Sequence, residues 1–271
     1  WLYDEDRWPS GSAGGMATAD PAFQMKYLFA EIMNQDEFQS GPGDIAYFAA
    51  QINGGRIKGV HRLQRQVYGC RFNPAPHTCE KLLVFRVRPM KQSSFYNGQT
   101  YLDTLKADAT RNFIQLTHEV YKRECGRYFG REIKGIFTDE PHRGALMDPF
   151  GGEGSASVPW TEALPGEYAA RFGGDLLADL PELFFQLNGK HLSRVKWQFV
   201  ELLQELFLEN FAIPIQDWCH DNRLLLTGHV LHEDNLAAQT AMQGSLMRFY
   251  AHMDIPGVDV LGENNRNYCI V

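Results

Sequence analysis

The stretch IKGIFTDEP, residues 133–141, decides the fold prediction. A short β-prone run ends there on two carboxylates, Asp139 and Glu140, and a proline. When strands of a β/α protein are parallel, the residues at their carboxyl ends form the active site. The stretch therefore predicts a buried strand whose end carries functional side chains.

Four more short β-prone runs end on polar loops, near Tyr3, Asp103, Gly228 and Leu261. Carboxylate and imidazole side chains, which can bind substrates or transfer protons, follow these runs. These are Asp4 and Glu5, then Asp103, then His229, His232 and Glu233, and finally Glu263. If the strands are parallel neighbours, all these ends converge on one mouth.

Helical patterns separate these runs. Residues 106–125 place Phe113, Leu116 and Val120 on one helical stripe, and residues 193–211 form a longer, largely buried stripe. Alternation of strand and helix is typical of a parallel α/β sheet or barrel. We predict an α/β fold: an incomplete (β/α)₈ barrel with about strands 2 to 6, to which all of residues 1–271 belong.

One region interrupts the alternation. Residues 44–89 hold short β-prone runs broken by Asn-Gly-Gly and Asn-Pro-Ala-Pro, which predicts a small β-rich excursion within the barrel. Phe23 to Met33 is predicted as a short helix, and residues 100–105 (TYLDTL) as a short strand.

Composition excludes several classes of protein. The 271 residues are 44% hydrophobic, as expected of a core-forming protein, and their net charge of −7 argues against a nucleic-acid binder. No apolar run is long enough for a membrane span. Nucleotide-binding glycine loops and the G-x-S-x-G motif of serine hydrolases do not occur.

Glu140 has the position expected of a general acid. Partial burial and the neighbouring Asp139 both raise the pKa of a carboxyl group and keep it protonated near neutral pH. The alternative is that this pair caps the next segment or pairs with Arg143.

The stretch GHVLHEDN, residues 228–235, has the order H-x-x-H-E, so the zincin motif does not apply. Contacts of His229 and His232 with sugar hydroxyls, and a base role for Glu233, fit better. The alternative is helix capping by Glu233 and Asp234. Glu263 either holds a hydroxyl, replaces Glu233 as the second carboxylate, or is a solvated loop residue.

Aromatic side chains near the predicted loops suit a sugar, because its C–H faces stack on rings. Trp8, Trp160 and Tyr168 are the candidates, although such rings are more often packing at the edge of a core.

Several blocks, in order, resemble glycoside hydrolase family 106, the family of bacterial α-L-rhamnosidases. They are residues 1–15, 133–141, 159–184 and 226–261. The resemblance implies a catalytic (β/α)₈ barrel inside a longer protein with β-sandwich domains. It also implies inverting hydrolysis of a carbohydrate substrate by two glutamates, and a calcium ion in the active site.

Carried over to this sequence, the resemblance makes Glu140 the acid and Glu233 the base, with Glu263 as the other candidate. Asp4 and Glu5 would face the sugar or the calcium ion. Three further hypotheses stay open: a non-catalytic sugar-binding barrel, a glycosidase for another sugar, and a metal-dependent hydrolase. The last would need a closer His–carboxylate cluster than the sequence indicates.

Overall fold

The computed structural model describes residues 1–34, 38–53, 55–63, 81–146, 156–187, 193–232 and 236–259. The chain has a mixed α/β fold and divides into two compact units. The first unit comprises Trp1–Met25, Pro89–Leu146 and Leu203–Val271, and the second comprises Lys26–Arg88 and Met147–Leu202. Among the described residues, no helix has the length and apolar character needed to cross a membrane.

The elements are numbered in chain order. The described strands are β1 (Leu2–Tyr3), β2 (Lys26–Met33), β3 (Asp44–Asn53), β4 (Arg56–Leu63), β5 (Lys81–Pro89), β6 (Gly135–Asp139), β7 (Ala156–Trp160), β8 (Gln186–Leu187), β9 (Leu225–His229) and β10 (Ile255–Pro256). The described α-helices are α1 (Ala107–Leu116), α2 (His118–Cys125), α3 (Leu164–Phe172), α4 (Leu176–Phe184), α5 (Arg194–Phe207), α6 (Ile213–Asp221), α7 (Leu236–Met242) and α8 (Leu246–Tyr250).

The first unit contains a four-stranded parallel sheet in the order β1-β6-β9-β10. Strands β6 and β9 are the two inner strands, and Ile136 of β6 and Leu226 of β9 are fully buried. Aromatic rings fill the helical part of this unit. Phe211 stacks on Phe113 and Phe207, with ring centroids 6.4 and 5.7 Å apart.

The second unit contains a six-stranded sheet in the order β7-β2-β5-β3-β4-β8. Strand β3 pairs antiparallel with β4 and β5, and β2 pairs antiparallel with β7. Phe85 packs between Phe48 and Phe184, with centroids 5.5 and 5.6 Å apart. The predicted β-rich stretch 44–89 supplies three of these strands, and the same sheet also takes β2, β7 and β8.

The strand predictions for the first unit are confirmed at three ends. The strands that end near Tyr3, Phe137 and Gly228 are parallel neighbours. The predicted strand at 100–105 is wrong, since Leu102 makes only a single antiparallel bridge with Gln24. Strand β10 pairs with β9 at Ile255, earlier than predicted, and Leu261 lies outside the described residues.

The helix predicted for Phe23 to Met33 is wrong, because Lys26–Met33 is strand β2. Tyr27 to Ala30 are buried on both faces of the sheet, so their sequence lacks the alternation that marks a half-exposed strand. The helix predicted for residues 106–125 forms as α1 and α2, and the one for 193–211 forms as α5 with one π-helical turn, Leu208–Ala212.

Gly228 allows β6 and β9 to approach at their carboxyl ends. Its φ is +143°, in the region that favours glycine, and a Cβ atom there would overlap the carbonyl oxygen of Thr138. The site described below depends on this close pairing.

Gly228→Ala should lower the free energy of unfolding by about 2–4 kcal/mol, because the methyl group adds backbone strain and overlaps Thr138. The matched control is Gly126→Ala at the end of α2, where the backbone is right-handed and a Cβ atom meets only Lys122 at 3.6 Å. This control should change stability by less than about 1 kcal/mol. Urea unfolding of both variants measures the difference, and equal stability of the two would contradict the assigned constraint.

Candidate active site at the carboxyl end of the parallel sheet

The parallel sheet brings the ends of β1, β6 and β9 to one edge. The amide of Asp4 donates to the carbonyl of Phe137 at 3.1 Å, and Asp139 lies opposite His229 in the register of β6 and β9. Three of the predicted site residues, Asp4, Asp139 and His229, therefore lie side by side at the carboxyl ends of neighbouring strands.

Asp139 links two of these strand ends through its side chain. Its Oδ1 lies 2.6 Å from Nε2 of His229, and its Oδ2 accepts a hydrogen bond from the Tyr3 hydroxyl. Burial by itself would raise the pKa of Asp139, but the hydrogen bonds from His229 and Tyr3 outweigh it and lower the pKa. Asp139 is thus a fixed negative charge that orients the imidazole ring of His229.

Glu140 follows β6 and continues its pairing, since its amide donates to the carbonyl of His229 at 3.0 Å. Its φ of +50° is unusual for a residue with a side chain, and such backbone conformations cluster at functional sites. One carboxylate oxygen of Glu140, one ring nitrogen of His229 and one carboxylate oxygen of Asp259 lie within 4.8 Å of one another. Of these three side chains only His229 is buried, with 6% of its surface exposed, whereas Glu140 and Asp259 are partly exposed.

Asp4 and Glu5 are carboxyl groups held in a poorly hydrated place. Asp4 is fully buried and accepts a hydrogen bond from the Ser10 hydroxyl at 2.6 Å. Burial raises the pKa of Asp4 to about 7, against the lowering effect of the Ser10 and Thr138 hydroxyls. Burial and the neighbouring Asp4 raise the pKa of Glu5 to about 8, although the amides of Gly11 and Ser12 donate to it.

Ser10 ties the loop after β1 to the sheet. Its amide donates to the carbonyl of Asp139 at 2.7 Å, and its hydroxyl accepts from the Asp139 amide at 2.7 Å. The Tyr101 hydroxyl donates to the carbonyl of Ser10 at 2.6 Å. The imidazole of His142 stacks on Tyr101, with centroids 4.2 Å apart, and burial lowers the pKa of His142 to about 3. His142 is therefore neutral at physiological pH.

The other predicted site residues border this edge, belong to other parts of the fold, or lie outside the described part of the chain. Trp8 is 51% exposed in the loop after β1, and His232 is exposed after β9, where its charge helps to lower the pKa of His142. Trp160 is a buried residue of β7 in the second unit, as is Tyr168 of α3. Asp103 is buried, and its Oδ1 accepts from the amide of Leu105 at 3.2 Å.

Glu233 and Glu263 lie outside the described residues, so their catalytic roles stay predictions. The sequence interpretation missed Tyr3, Ser10 and Asp259. The sequence pattern predicts a strand running to Leu261 with Asp259 in its interior. In the structure β10 ends at Pro256, so Asp259 lies in the segment beyond the strand.

The donors of this group do not match the calcium ion implied by the resemblance. Calcium takes six to eight oxygen ligands, whereas the group of Glu140, His229 and Asp259 offers two oxygens and a nitrogen. Among the described residues this group is therefore not a calcium site of the usual kind, and the calcium ion stays a prediction of the resemblance.

No protein-family model and no curated protein matches the chain. Among solved structures, the chain is similar to a rhamnosidase from Novosphingobium sp. PP1Y, with 13% sequence identity and a TM-score of 0.44. The similarity covers 85% of this chain and 28% of the rhamnosidase chain, so the chain spans less than a third of that protein's length.

Asp4 should make stability fall as pH rises. A carboxyl group whose pKa is about 7 when folded and about 3.9 when unfolded stabilises the folded state at low pH, and this contribution is lost as pH rises through 7. Asp4→Asn removes the titration. The unfolding free energy of this variant should therefore rise relative to that of the unmodified protein between pH 5 and pH 9.

The measurement is a difference because other groups titrate as well. Burial lowers the pKa of His118 and of His142 to about 3. The contribution of both histidines to the free energy of unfolding therefore increases as pH rises to about 6.5. The control is Asp6→Asn, an exposed carboxylate in the same loop. If the Asp4→Asn and Asp6→Asn variants showed the same dependence on pH, burial would not control the charge of Asp4.

Proposed function

We propose that the chain is part of the catalytic barrel of a glycoside hydrolase in which Glu140 is the general acid. The observation that carries the proposal is the position of Glu140: it follows the central β6 strand, its backbone is held by His229, and its carboxylate lies within 4.8 Å of Asp259 and the His229 ring. Hydrolysis of a glycosidic bond requires such a carboxyl group as the proton donor, together with a second carboxylate.

The strand order supports a barrel. In chain order, each described strand of the parallel sheet is added beside the previous one, β1, β6, β9 and then β10. A doubly wound sheet reverses direction at a switch point, whereas a barrel adds strands in one direction. The order therefore favours part of a (β/α)₈ barrel, with the first unit as its described portion.

The reaction needs a proton donor and a second carboxylate. Glu140 protonates the oxygen of the leaving group as the bond from that oxygen to the anomeric carbon breaks. The second carboxylate takes a proton from water, whose oxygen bonds to the anomeric carbon from the opposite face. Inversion requires the two carboxyl groups to lie about 6.5–9.5 Å apart. Asp259 is closer to Glu140 than that. Glu233 is the proposed base because the family resemblance gives it that role, and Glu263 is the alternative.

The proposed substrate is an α-L-rhamnoside, and the support for that sugar is the resemblance of residues 1–15, 133–141 and 226–261 to glycoside hydrolase family 106. The partly exposed Glu5 suits a sugar hydroxyl, since a protonated carboxyl both donates and accepts hydrogen bonds. Asp4 is fully buried against Ser10 and holds the loop that carries Glu5. A non-catalytic sugar-binding barrel would share these groups without the proton transfer.

Glu140→Gln should lower kcat/KM by about 10²–10⁴-fold on a natural rhamnose disaccharide and much less on a nitrophenyl rhamnoside. The reason is that a nitrophenolate leaves without protonation, whereas a sugar alkoxide does not. Steady-state kinetics of the full-length protein on both substrates give the comparison.

The matched control is Glu132→Gln, an exposed glutamate in the turn before β6, which should leave both rates unchanged. Equal loss on both substrates in the Glu140→Gln variant would remove Glu140 as the acid. Absence of hydrolysis in the unmodified protein, together with sugar binding, would favour the sugar-binding barrel.

A metal-dependent hydrolase is the second candidate, because the structure has the close His–carboxylate group that such an enzyme needs. Glu140, His229 and Asp259 offer oxygen and nitrogen donors of the kind that zinc binds, and Asp139 supports the imidazole as a carboxylate does in many metal sites. In that case Glu140 would be a ligand and not an acid.

Dialysis against EDTA, followed by addition of one metal at a time, separates the candidates. If Glu140 is the acid without a metal, the rate should survive dialysis. Loss of activity that zinc restores would establish the metal-dependent hydrolase, with equilibrium zinc binding abolished by His229→Ala as a readout independent of activity. Restoration by calcium alone would support the ion implied by the family resemblance.

A further inference from the structure

Two aromatic side chains of the first unit are exposed beside each other. Trp8 is 51% exposed and Phe95 is 39% exposed, and their rings meet edge to face with centroids 5.7 Å apart. Both lie in loops, Trp8 after β1 and Phe95 in the 3₁₀ turn Ser94–Tyr96. An exposed pair of large rings is unusual enough on a protein surface to indicate a ligand.

The two loops are joined by hydrogen bonds that do not involve the exposed rings. A guanidinium nitrogen of Arg7 donates to the carbonyl of Phe95 at 3.0 Å, and the side-chain amide of Asn97 donates to the carbonyl of Gly14 at 2.9 Å. Ser10 ties the first loop to the sheet. The rings are therefore held in place before a ligand arrives, which lowers the entropy lost on binding.

Ring contacts connect this pair to the Glu140 end of the sheet. Phe95 contacts Tyr96, with centroids 5.0 Å apart, and Tyr96 contacts Tyr101 at 5.9 Å. Tyr101 in turn stacks on His142, two residues after Glu140. The exposed rings thus belong to the same end of the first unit as the candidate active site.

The loop that carries Trp8 also carries polar groups that suit hydroxyl groups. The second carboxylate oxygen of Glu5 is buried and has no hydrogen-bond partner within the described part of the chain. The charge of Glu5 acts on Tyr96, whose pKa is raised to about 12, chiefly by burial. Asp6 and Arg7 form an exposed ion pair at 3.2 Å in the same loop. Exposed aromatic rings with an exposed carboxylate and guanidinium in the same loop fit a sugar better than a lipid or an apolar peptide.

We propose that Trp8 and Phe95, whose rings stand nearly perpendicular to each other, form an aromatic platform that contacts a second sugar ring of the substrate, next to the ring whose glycosidic bond is cleaved. The position of this second ring rests on the proposed function, whereas binding of a sugar to the platform does not. The platform makes the substrate an oligosaccharide or a larger glycan, and it would discriminate against a simple aryl glycoside.

The experiment compares two probes, L-rhamnose and a rhamnose disaccharide, by isothermal titration calorimetry with full-length protein. Trp8→Ala and Phe95→Ala should each weaken disaccharide binding by about tenfold, the loss expected for one aromatic contact, and weaken rhamnose binding by less than about threefold. The matched control is Trp197→Ala, a 64% exposed tryptophan of the second unit, which should change neither affinity. Circular dichroism verifies that each variant is folded.

Every outcome decides the proposal. Unchanged disaccharide affinity in the Trp8→Ala and Phe95→Ala variants would overturn it, as would equal weakening for both probes, because the rings would then contact the first sugar. Failure of the unmodified protein to bind either probe at 10 mM would overturn it for this class of sugar. Selective weakening without any hydrolysis would support the platform and refute the proposed hydrolase.

Discussion

The structure of the candidate site depends on the pairing of Ser10 with the ends of β1 and β6. Ser10 is fully buried, and its amide donates a hydrogen bond to the carbonyl of Asp139. Its hydroxyl accepts a hydrogen bond from the Asp139 amide and donates one to the carboxylate of Asp4. These bonds make the loop after β1 a continuation of the sheet. Since the loop carries Glu5 and Trp8, the positions of an acceptor and of an exposed ring follow from one serine.

The sequence predicted strand and helix wherever burial leaves a periodic signal. Strands β6 and β9 are short β-prone runs that end on polar residues, and α5 has an apolar stripe at helical spacing. Strand β2 has no such signal, because Tyr27 to Ala30 are buried on both faces and read as a continuous apolar run. Residues 44–89 read as β-rich and supply three strands of the second sheet, but the rest of that sheet has no sequence signal, since β7 and β8 pair with β2 and β4 across more than a hundred residues.

The sequence predicted only those residues of the candidate site that directly follow a β-prone run. Asp4, Asp139, Glu140 and His229 follow β-prone runs and were identified for that reason. The contacts that give them their properties are non-local: the hydroxyl of Tyr3 reaches Asp139 across 136 positions of sequence. Tyr3 and Ser10 have ordinary sequence contexts, and only the register of β1 with β6 shows what they bind.

The carboxyl groups of this edge differ in charge because they differ in hydrogen-bond donors. Asp139 receives hydrogen bonds from an imidazole and a phenol, which lower its pKa despite burial. Asp4 is more deeply buried, and its side-chain donors are the hydroxyls of Ser10 and Thr138, so burial prevails and raises its pKa to about 7.

This difference explains how several carboxyl groups can share one end of a sheet. If all were ionised, their mutual repulsion in a poorly hydrated place would oppose folding. With Asp4 and Glu5 largely protonated below pH 7, the edge carries fewer negative charges than carboxyl groups. Asp139 then remains as a fixed charge beside His229, while Asp4 and Glu5 keep their protons at the neighbouring strand, so burial and the supply of hydrogen-bond donors together limit the charge that this edge accumulates.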